Sequence, residues 1–194
     1  GQYMPIEEDG RGTYILNSKD LCMIEHLPEL IEAGVSSLKI EGRMKSSFYV
    51  ATVVKAYRKA LDGYLRDGAG YRFDRKLLGD LEKASHREFS TGFYFKDPGQ
   101  VYESSSCIHE YDIVGMVAGY DGSRKIARIE QRNKVFRGDT VEVFTPSDDT
   151  YTLKLDQIWG EDGEEIDSTP HPQMKYYIKC DRPLKPMDML IKER

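Results

Sequence analysis

Two short motifs carry the residues best suited to chemistry: Asn17-Ser-Lys-Asp-Leu-Cys22 and Glu41-Gly-Arg-Met-Lys45. Each follows a short apolar run, Thr13–Leu16 or Val35–Ile40, and each leads into a predicted helix. In a parallel α/β sheet, side chains just past the carboxyl ends of strands face the ligand crevice. That would place Asn17, Ser18, Lys19, Asp20 and Cys22 beside Glu41 and Arg43. A carboxylate and a guanidinium leaving one strand end can hold a polar substrate, the Arg gripping carboxylate or phosphate in bidentate fashion. Gly42 between them permits close backbone approach. The structural alternative is a Glu41–Arg43 salt bridge that orders the loop. Cys22, at a helix start, is expected to have its pKa lowered toward thiolate, which suits a metal ligand or a nucleophile. A buried, inert thiol is the commoner fate of a lone cysteine. His26 is expected to reach Cys22 on one helical face, but no Asn or Asp is spaced to complete a thiol-protease triad.

The elements that must position these groups fall into two grammars. Ser18 or Asp20 can cap a helix, Pro28 suits the first turn of a segment over Leu27–Ala33, and Gly34 stops it. From Ser46, Val50, Val53, Val54, Tyr57 and Leu61 form an apolar helical stripe, with Lys55, Arg58, Lys59 and Arg66 on or near the opposite face. A solvated surface is the ordinary meaning of that basic face. Asp67-Gly-Ala-Gly70 ends this helix, and Phe73–Ala84 predicts another with Leu77, Leu78 and Leu81 inward. Near residue 93 the pattern changes to short strands with turn signals. Asp112–Tyr120, Arg124–Gln131, Asp139–Thr145, Thr150–Ile158, Lys175–Cys180 and Met187–Lys192 predict six strands, with Asp121-Gly122 as a hairpin turn. Closure into a small barrel would remove their exposed edges. Phe136-Arg-Gly-Asp-Thr-Val-Glu-Val and Arg182-Pro-Leu-Lys-Pro-Met-Asp-Met-Leu-Ile echo one another as turn, Asp, apolar strand. They resemble the small β-barrel that forms the second domain of translation factors. Two domains are therefore expected, 1–92 and 93–194.

Composition narrows the function classes. The net charge of -5 resides in the second half: residues 1–95 carry 14 basic and 14 acidic side chains, and 96–194 carry 14 and 19. An acidic second half argues against a general electrostatic clamp on nucleic acid, though not against a local basic stripe. Cys22, Cys107 and Cys180 are too few and too widely spaced for a disulfide framework or a zinc site, and Cys107 with His109 is a weak ligand signal. Buried thiols are expected at Cys107 and Cys180. His86 and His171 stand in loops without evident partners. Phe89, Phe93, Tyr94, Phe95 and Tyr102 cluster at the expected junction, as packing or as a stacking platform for a splayed base. No apolar run reaches membrane-span length, so no membrane partner and a cytoplasmic location are the default expectation. The opening at Gly1, without an initiator Met, fits a piece of a longer protein.

In order, Leu16-Asn-Ser-Lys-Asp-Leu-Cys22, Leu30-Ile-Glu-Ala-Gly34, Leu38-Lys-Ile-Glu-Gly-Arg-Met-Lys-Ser46, Tyr49-Val-Ala51 and Tyr57-Arg-Lys-Ala60 resemble the C-terminal half of peptidase family U32, the collagenase-like proteins. The match is close over about residues 1–95 and looser over the later strands. The resemblance implies an α/β fragment, the last βα units of a TIM-like barrel over residues 13–62, followed by an all-β lid. It also implies relatives that hydroxylate tRNA wobble uridine or ribosomal RNA cytidine, using prephenate, and relatives that hold an iron–sulfur cluster through four cysteines. Of those ligands the chain contains Cys22, the others being expected in a cysteine-rich segment before Gly1. The 194 residues alone are thus expected neither to hold the cluster nor to turn over. On this basis Cys22 is the expected metal ligand, Glu41 and Arg43 the expected catalytic pair, and Asn17, Lys19, Asp20 and Lys45 the expected substrate contacts.

The leading expectation is the C-terminal part of an iron–sulfur-dependent tRNA hydroxylase. A U32 peptidase, with an unidentified nucleophile, is the second reading. A non-catalytic β-barrel that docks RNA or protein is the third.

Overall fold

The structure, a computed structural model, describes residues 6–10, 12–14, 18–99, 101 and 107–194. It divides into two compact units, Gly1–His109 and Glu110–Arg194. The expected boundary at 92/93 falls inside the first unit, because Ile108 exchanges backbone hydrogen bonds with His86 and ties the segment back (N···O 2.7 and 3.1 Å).

The first unit opens with an antiparallel hairpin of β1 (Glu7–Asp9) and β2 (Gly12–Tyr14). Two short strands, β3 (Asp20–Leu21) and β4 (Phe89–Ser90), pair in parallel. A 3₁₀ turn over Ile24–His26 runs into α1 (Leu27–Glu32), with Pro28 in its first turn and Gly34 beyond it at φ 86°. Gly34 and Val35 donate back to Ile31 and Leu30, satisfying carbonyls that the helix end leaves open. Then come α2 (Ser47–Asp67) and α3 (Lys76–Glu82). Ser46 caps α2, its side chain accepting from the Tyr49 amide.

Ile24, Leu27, Ala56, Ala60, Leu77 and Leu81 form the core of this unit, with Val53, Tyr57 and Leu61 packed against it. The face of α2 is rotated from the expected stripe. Val50 and Val54 are exposed, whereas Thr52, Lys55, Ala56, Ala60 and Gly63 are buried. The buried face carries small side chains: Ala56 and Ala60 join the core, and Gly63 makes room for the Tyr71 ring, which hydrophobicity alone does not reveal. Val35–Ile40, the second expected strand, makes no ladder among the described residues, and both Val35 and Leu38 are exposed. An apolar run becomes a strand only when another strand supplies its hydrogen bonds.

The second unit is one antiparallel sheet. Its strands are β5 (Tyr111–Asp121), β6 (Ile126–Gln131), β7 (Thr140–Phe144), β8 (Tyr151–Lys154), β9 (Ile158–Trp159), β10 (Lys175–Lys179) and β11 (Met189–Glu193), in the order β8-β7-β11-β5-β6-β10-β9. Alternate residues such as Ala127, Ile129, Tyr176, Ile178 and Leu190 point into a single core. At about 1.5–3 kcal/mol for each large apolar side chain fully buried, that core dominates the unit's stability. The Asp121-Gly122 turn lies where expected, yet Lys125, not Gly122, takes the positive φ of 57°. Asp121 Oδ1 holds the turn by accepting from the amides of Ser123 and Arg124.

Seven strands replace the six expected, and the sheet is a curled half-barrel with two edges, not a closed barrel. The expected strand Thr150–Ile158 breaks because Leu155 turns aside to exchange backbone bonds with the Gly138–Asp139 turn, both at 2.8 Å. The edge strands β8 and β9 are joined by the chain through Leu155–Gln157, with no ladder between them.

Candidate functional site

The first unit encloses a cleft of about 510 Å³. Asp20, Cys22, Glu41 and Lys45 all line it, so the two motifs converge. Ser37, Lys39, Tyr49, Tyr57, His86 and Tyr94 add to its polar lining. Arg43 and Lys19 are not on this wall. Lys19 lines an adjacent depression with Ser18, Phe93 and Tyr94 and pairs with Glu88 at 2.9 Å. Asn17 and Tyr102 lie outside the described residues.

The β3–β4 pair positions the first motif. Asp20 and Cys22 donate their amides to the Glu88 and Ser90 carbonyls, both at 2.9 Å. The Asp20 carboxylate accepts the Arg87 amide at 3.0 Å, locking the two strands in register. Cys22 Sγ lies 4.0 Å from the Tyr57 hydroxyl, which also accepts the Met23 amide at 3.0 Å. A helix start would lower the Cys22 pKa. Burial instead pushes it up, outweighing the hydrogen bonds from Ile24 and Tyr57 that pull it down. His26 does not serve Cys22. Its Nδ1 meets Glu29 Oε1 at 3.1 Å, and its ring lies against Phe95 at 4.3 Å between centroids. Residues 22–26 are not one helix, so the expected shared face does not exist.

The second motif forms a tight turn. Lys45 donates its amide to the Gly42 carbonyl, and Arg43 donates its amide to Glu41 Oε1 at 3.2 Å. Glu41 meets Lys39 at 3.8 Å; no Glu41–Arg43 ion pair forms among the described residues. The exposed Arg43 guanidinium makes no ion pair among those residues either. Lys45 Nζ donates to the Ser85 carbonyl at 3.2 Å and lies 4.9 Å from the centre of the Tyr49 ring. Burial raises the Tyr49 pKa, and negative charge on Asp20, Cys22 and Glu41 raises it further. Burial likewise pushes the Tyr57 hydroxyl well above its usual range.

His86 is the cleft residue that spacing did not reveal. It is buried, stacks on Phe89 at 4.6 Å, and places Nδ1 2.8 Å from the Ala84 carbonyl. A carbonyl only accepts, so Nδ1 carries the proton and neutral His86 keeps an acceptor at Nε2. Tyr57 was legible as part of an apolar stripe and of the Tyr57-Arg-Lys-Ala60 block, not as a neighbour of Cys22. Of the other aromatics, Phe93, Tyr94 and Phe95 are exposed.

Among the described residues, no group of three or more His, Cys, Asp or Glu side chains is arranged to hold a metal. Cys22 offers one thiol at the cleft, so these residues by themselves do not fit a four-cysteine cluster. Cys107 is exposed, contrary to expectation, and Cys180 is buried as expected, its thiol donating to the Arg182 carbonyl. No helix among the described residues is long and apolar enough to cross a membrane.

A helical unit whose cleft gathers the two motifs, followed by an antiparallel half-barrel, defines a two-part α/β and all-β protein. The chain belongs to peptidase family U32: residues 2–104 match the family itself, and residues 109–190 match its C-terminal domain. It is 39% identical over 189 residues to tRNA hydroxylation protein P1 of Bacillus subtilis, covering 96% of this chain and 44% of the relative. With tRNA hydroxylation protein P of Escherichia coli it shares 39% identity over 175 residues, covering 88% and 37%. A collagenase of Porphyromonas gingivalis is 32% identical over 89 residues, covering 46% and 20%. A crystal structure of the C-terminal domain of a Geobacillus thermoleovorans protein assigned to the U32 peptidases is 41% identical. It covers 42% of this chain and 99% of its own, with a TM-score of 0.40. The chain spans less than half the length of the curated relatives that it matches most extensively.

Proposed function

We propose that this chain is the C-terminal part of an RNA hydroxylase acting on tRNA, and that its cleft forms one wall of the active site. The reading rests on one observation above all: Cys22 shares that cleft with Asp20, Glu41 and Lys45. The names of the relatives from Bacillus subtilis and Escherichia coli give the reaction class. In this proposal the substrate is tRNA, hydroxylated at the wobble uridine ring, with prephenate as co-substrate, in the cytoplasm. Glu41 on the cleft wall and Arg43, exposed in the same turn, are the proposed contacts to the reacting groups, and Asn17, Asp20, Lys45 and, from the adjacent depression, Lys19 those to the rest of the substrate. Cys22 supplies one ligand to an iron–sulfur cluster whose other ligands lie outside these residues.

The barrel reading belongs here as well. Val35–Ile40 exposes apolar side chains and open backbone, as a stave of a larger parallel barrel does without its neighbours. The peptidase reading is weaker. A thiol nucleophile needs a depressed pKa and an oriented base, whereas Cys22 is raised by burial and His26 is turned to Glu29.

The test is nucleoside mass spectrometry of tRNA from cells deleted for the gene. Loss of a hydroxylated uridine, restored by the wild-type gene but not by Cys22→Ser or Glu41→Gln, is the expected outcome. An unchanged nucleoside profile in the deletion strain refutes the reading.

A further inference from the structure

We infer that the outer face of the curled sheet, along the row Gly119–Arg128–Tyr177–Trp159, binds unpaired nucleotides of an RNA strand. This deepens the proposed function and rests on an RNA substrate. The row follows from register. Gly119 pairs with Arg128, Arg128 with Tyr177, and Tyr177 with Trp159, across β5, β6, β10 and β9. Residues directly opposite one another in a sheet share a face. Their chain neighbours Ala127, Ile129, Tyr176, Ile178 and Ile158 are buried in the core, so this row points outward.

The chemistry of the face is aromatic and cationic. Arg128 is exposed, while Tyr177 and Trp159 are half-buried. A depression of about 270 Å³ beside the row is lined by Gly119, Arg124, Arg128 and Tyr177. A Cβ at Gly119 would stand 4.0 Å from Arg128 Nη2, so the glycine leaves the Arg128 guanidinium uncrowded on this side. Elsewhere on the unit, Lys125, Arg132, Arg137 and Lys175 are paired with carboxylates. Arg124, Arg128 and Lys179 form no ion pair among the described residues; the two arginines line the depression with Tyr177, and Lys179 lies two residues along β10 from Tyr177, on the same face. Three carboxylates lie by the row: Asp121, which also lines the depression, is held by the amides of its own turn, Asp181 pairs with Lys125, and Glu165, opposite Trp159, pairs with Arg137.

Unpaired bases stack on Tyr and Trp rings, and Arg or Lys meets the phosphates between them. A duplex keeps its base faces covered and cannot use such a row. Because the unit is acidic overall, few cations contribute, and stacking supplies most of the affinity.

Trp159 is the single tryptophan of the chain, so its emission reports this face directly. The 194-residue protein is titrated with a short oligouridylate, a duplex RNA of equal length and a fluorescently labelled copy of the oligouridylate for anisotropy. Saturable quenching of Trp159 by the single strand, and not by the duplex, is the expected result. Tyr177→Ser is expected to weaken binding by about 5- to 150-fold, the range for removing one stacked base. Arg128→Glu and Lys179→Glu, both at exposed positions, are expected to weaken it and to flatten the salt dependence, the log–log slope falling by about 0.7 for each phosphate no longer neutralised. Circular dichroism checks that each variant is folded.

Anisotropy that reports binding while Trp159 emission stays constant and Arg128→Glu has no effect overturns the assignment of this face, leaving the RNA reading intact. Equal quenching by duplex overturns the single-strand assignment. Quenching that follows protein concentration instead of RNA makes the face a contact between chains and also overturns it. Absence of binding overturns it too, and combined with an unchanged nucleoside profile it removes both proposals.

Discussion

Gly138 and Met187 occupy the same position in two copies of one turn. Both have left-handed backbone, at φ 90° and 76°. Each donates its amide across the sheet unit, Gly138 to Leu155 at 2.8 Å and Met187 to Val117 at 3.0 Å. Each precedes an Asp that accepts the amide three residues back: Asp139 from Phe136 at 2.9 Å, Asp188 from Lys185 at 2.8 Å. The strands that follow, β7 and β11, lie side by side. The sequence echo between these segments is therefore a structural repeat.

Only one copy has the glycine that this backbone favours. Left-handed φ costs a non-glycine residue about 1–2 kcal/mol, partly offset because glycine loses more freedom on folding. Met187 is exposed, so replacing it removes little packing. Met187→Gly is expected to raise stability by about 0.5–1 kcal/mol, and Gly138→Ala to lower it by about 1 kcal/mol. Urea denaturation midpoints decide this; a destabilised Met187→Gly refutes it.

Two glycines on β5 should respond oppositely to the same change. A Cβ on Gly115 would run into Ile129 and come within 3.0 Å of the Tyr176 hydroxyl, whereas one on Gly119 meets only Arg128 Nη2 at 4.0 Å. Gly115→Ala is expected to cost about 1–3 kcal/mol by overpacking. Gly119→Ala should stay within about 0.5 kcal/mol of wild type. The buried Tyr176 hydroxyl has no hydrogen-bond partner among the described residues, so Tyr176→Phe is expected to stabilise by up to about 1 kcal/mol. Thermal melts of the three variants are the check.

Cys22 and Tyr57 predict alkaline sensitivity. Burial raises both pKa values in the fold, so each group holds its proton more tightly folded than unfolded. Their contribution is full below the unfolded values, about 8.5 for a thiol and about 10 for a phenol, and is lost as pH rises through the folded ones. Melting temperature should therefore fall steadily from about pH 8 upward, and Cys22 should alkylate slowly with iodoacetamide at neutral pH. Tyr57→Phe should slow alkylation further by removing a hydrogen bond that favours the thiolate. A Cys22 that reacts fastest near neutrality would restore the nucleophile reading.

Lys45 and Arg43, two residues apart, should separate on substitution. Lys45→Met removes the bond to Ser85 and the contact with Tyr49, an expected loss of about 1 kcal/mol. Arg43→Ala removes an exposed side chain without an ion pair among the described residues and should change stability by less than about 0.5 kcal/mol. Arg43 is then the side chain whose loss touches ligand binding and not folding. Equal destabilisation by both changes would assign Arg43 a structural role.

Much was legible from residue order. The capped helix from Ser46, the stop at Gly34, the hairpin at Asp121-Gly122 and the change to strands all follow from local rules that act within a few residues. The echo of Asp139 in Asp188 was visible for the same reason. Less local features were missed. The face that α2 buries carries Thr52, Ala56, Ala60 and Gly63, small residues that a hydrophobic stripe does not single out, and Val35–Ile40 has no strand partner among the described residues.

By itself the amino-acid sequence determined where turns and caps fall, which residues carry reactive groups, and which family the chain joins, because these depend on chemistry along the backbone. Tertiary structure alone decided that Cys22 answers to Tyr57 instead of His26, that buried His86 enters the cleft, and that Arg128, Tyr177 and Trp159 form one row. Those relations join residues far apart in the chain, and only burial and strand register bring such residues within reach of one another.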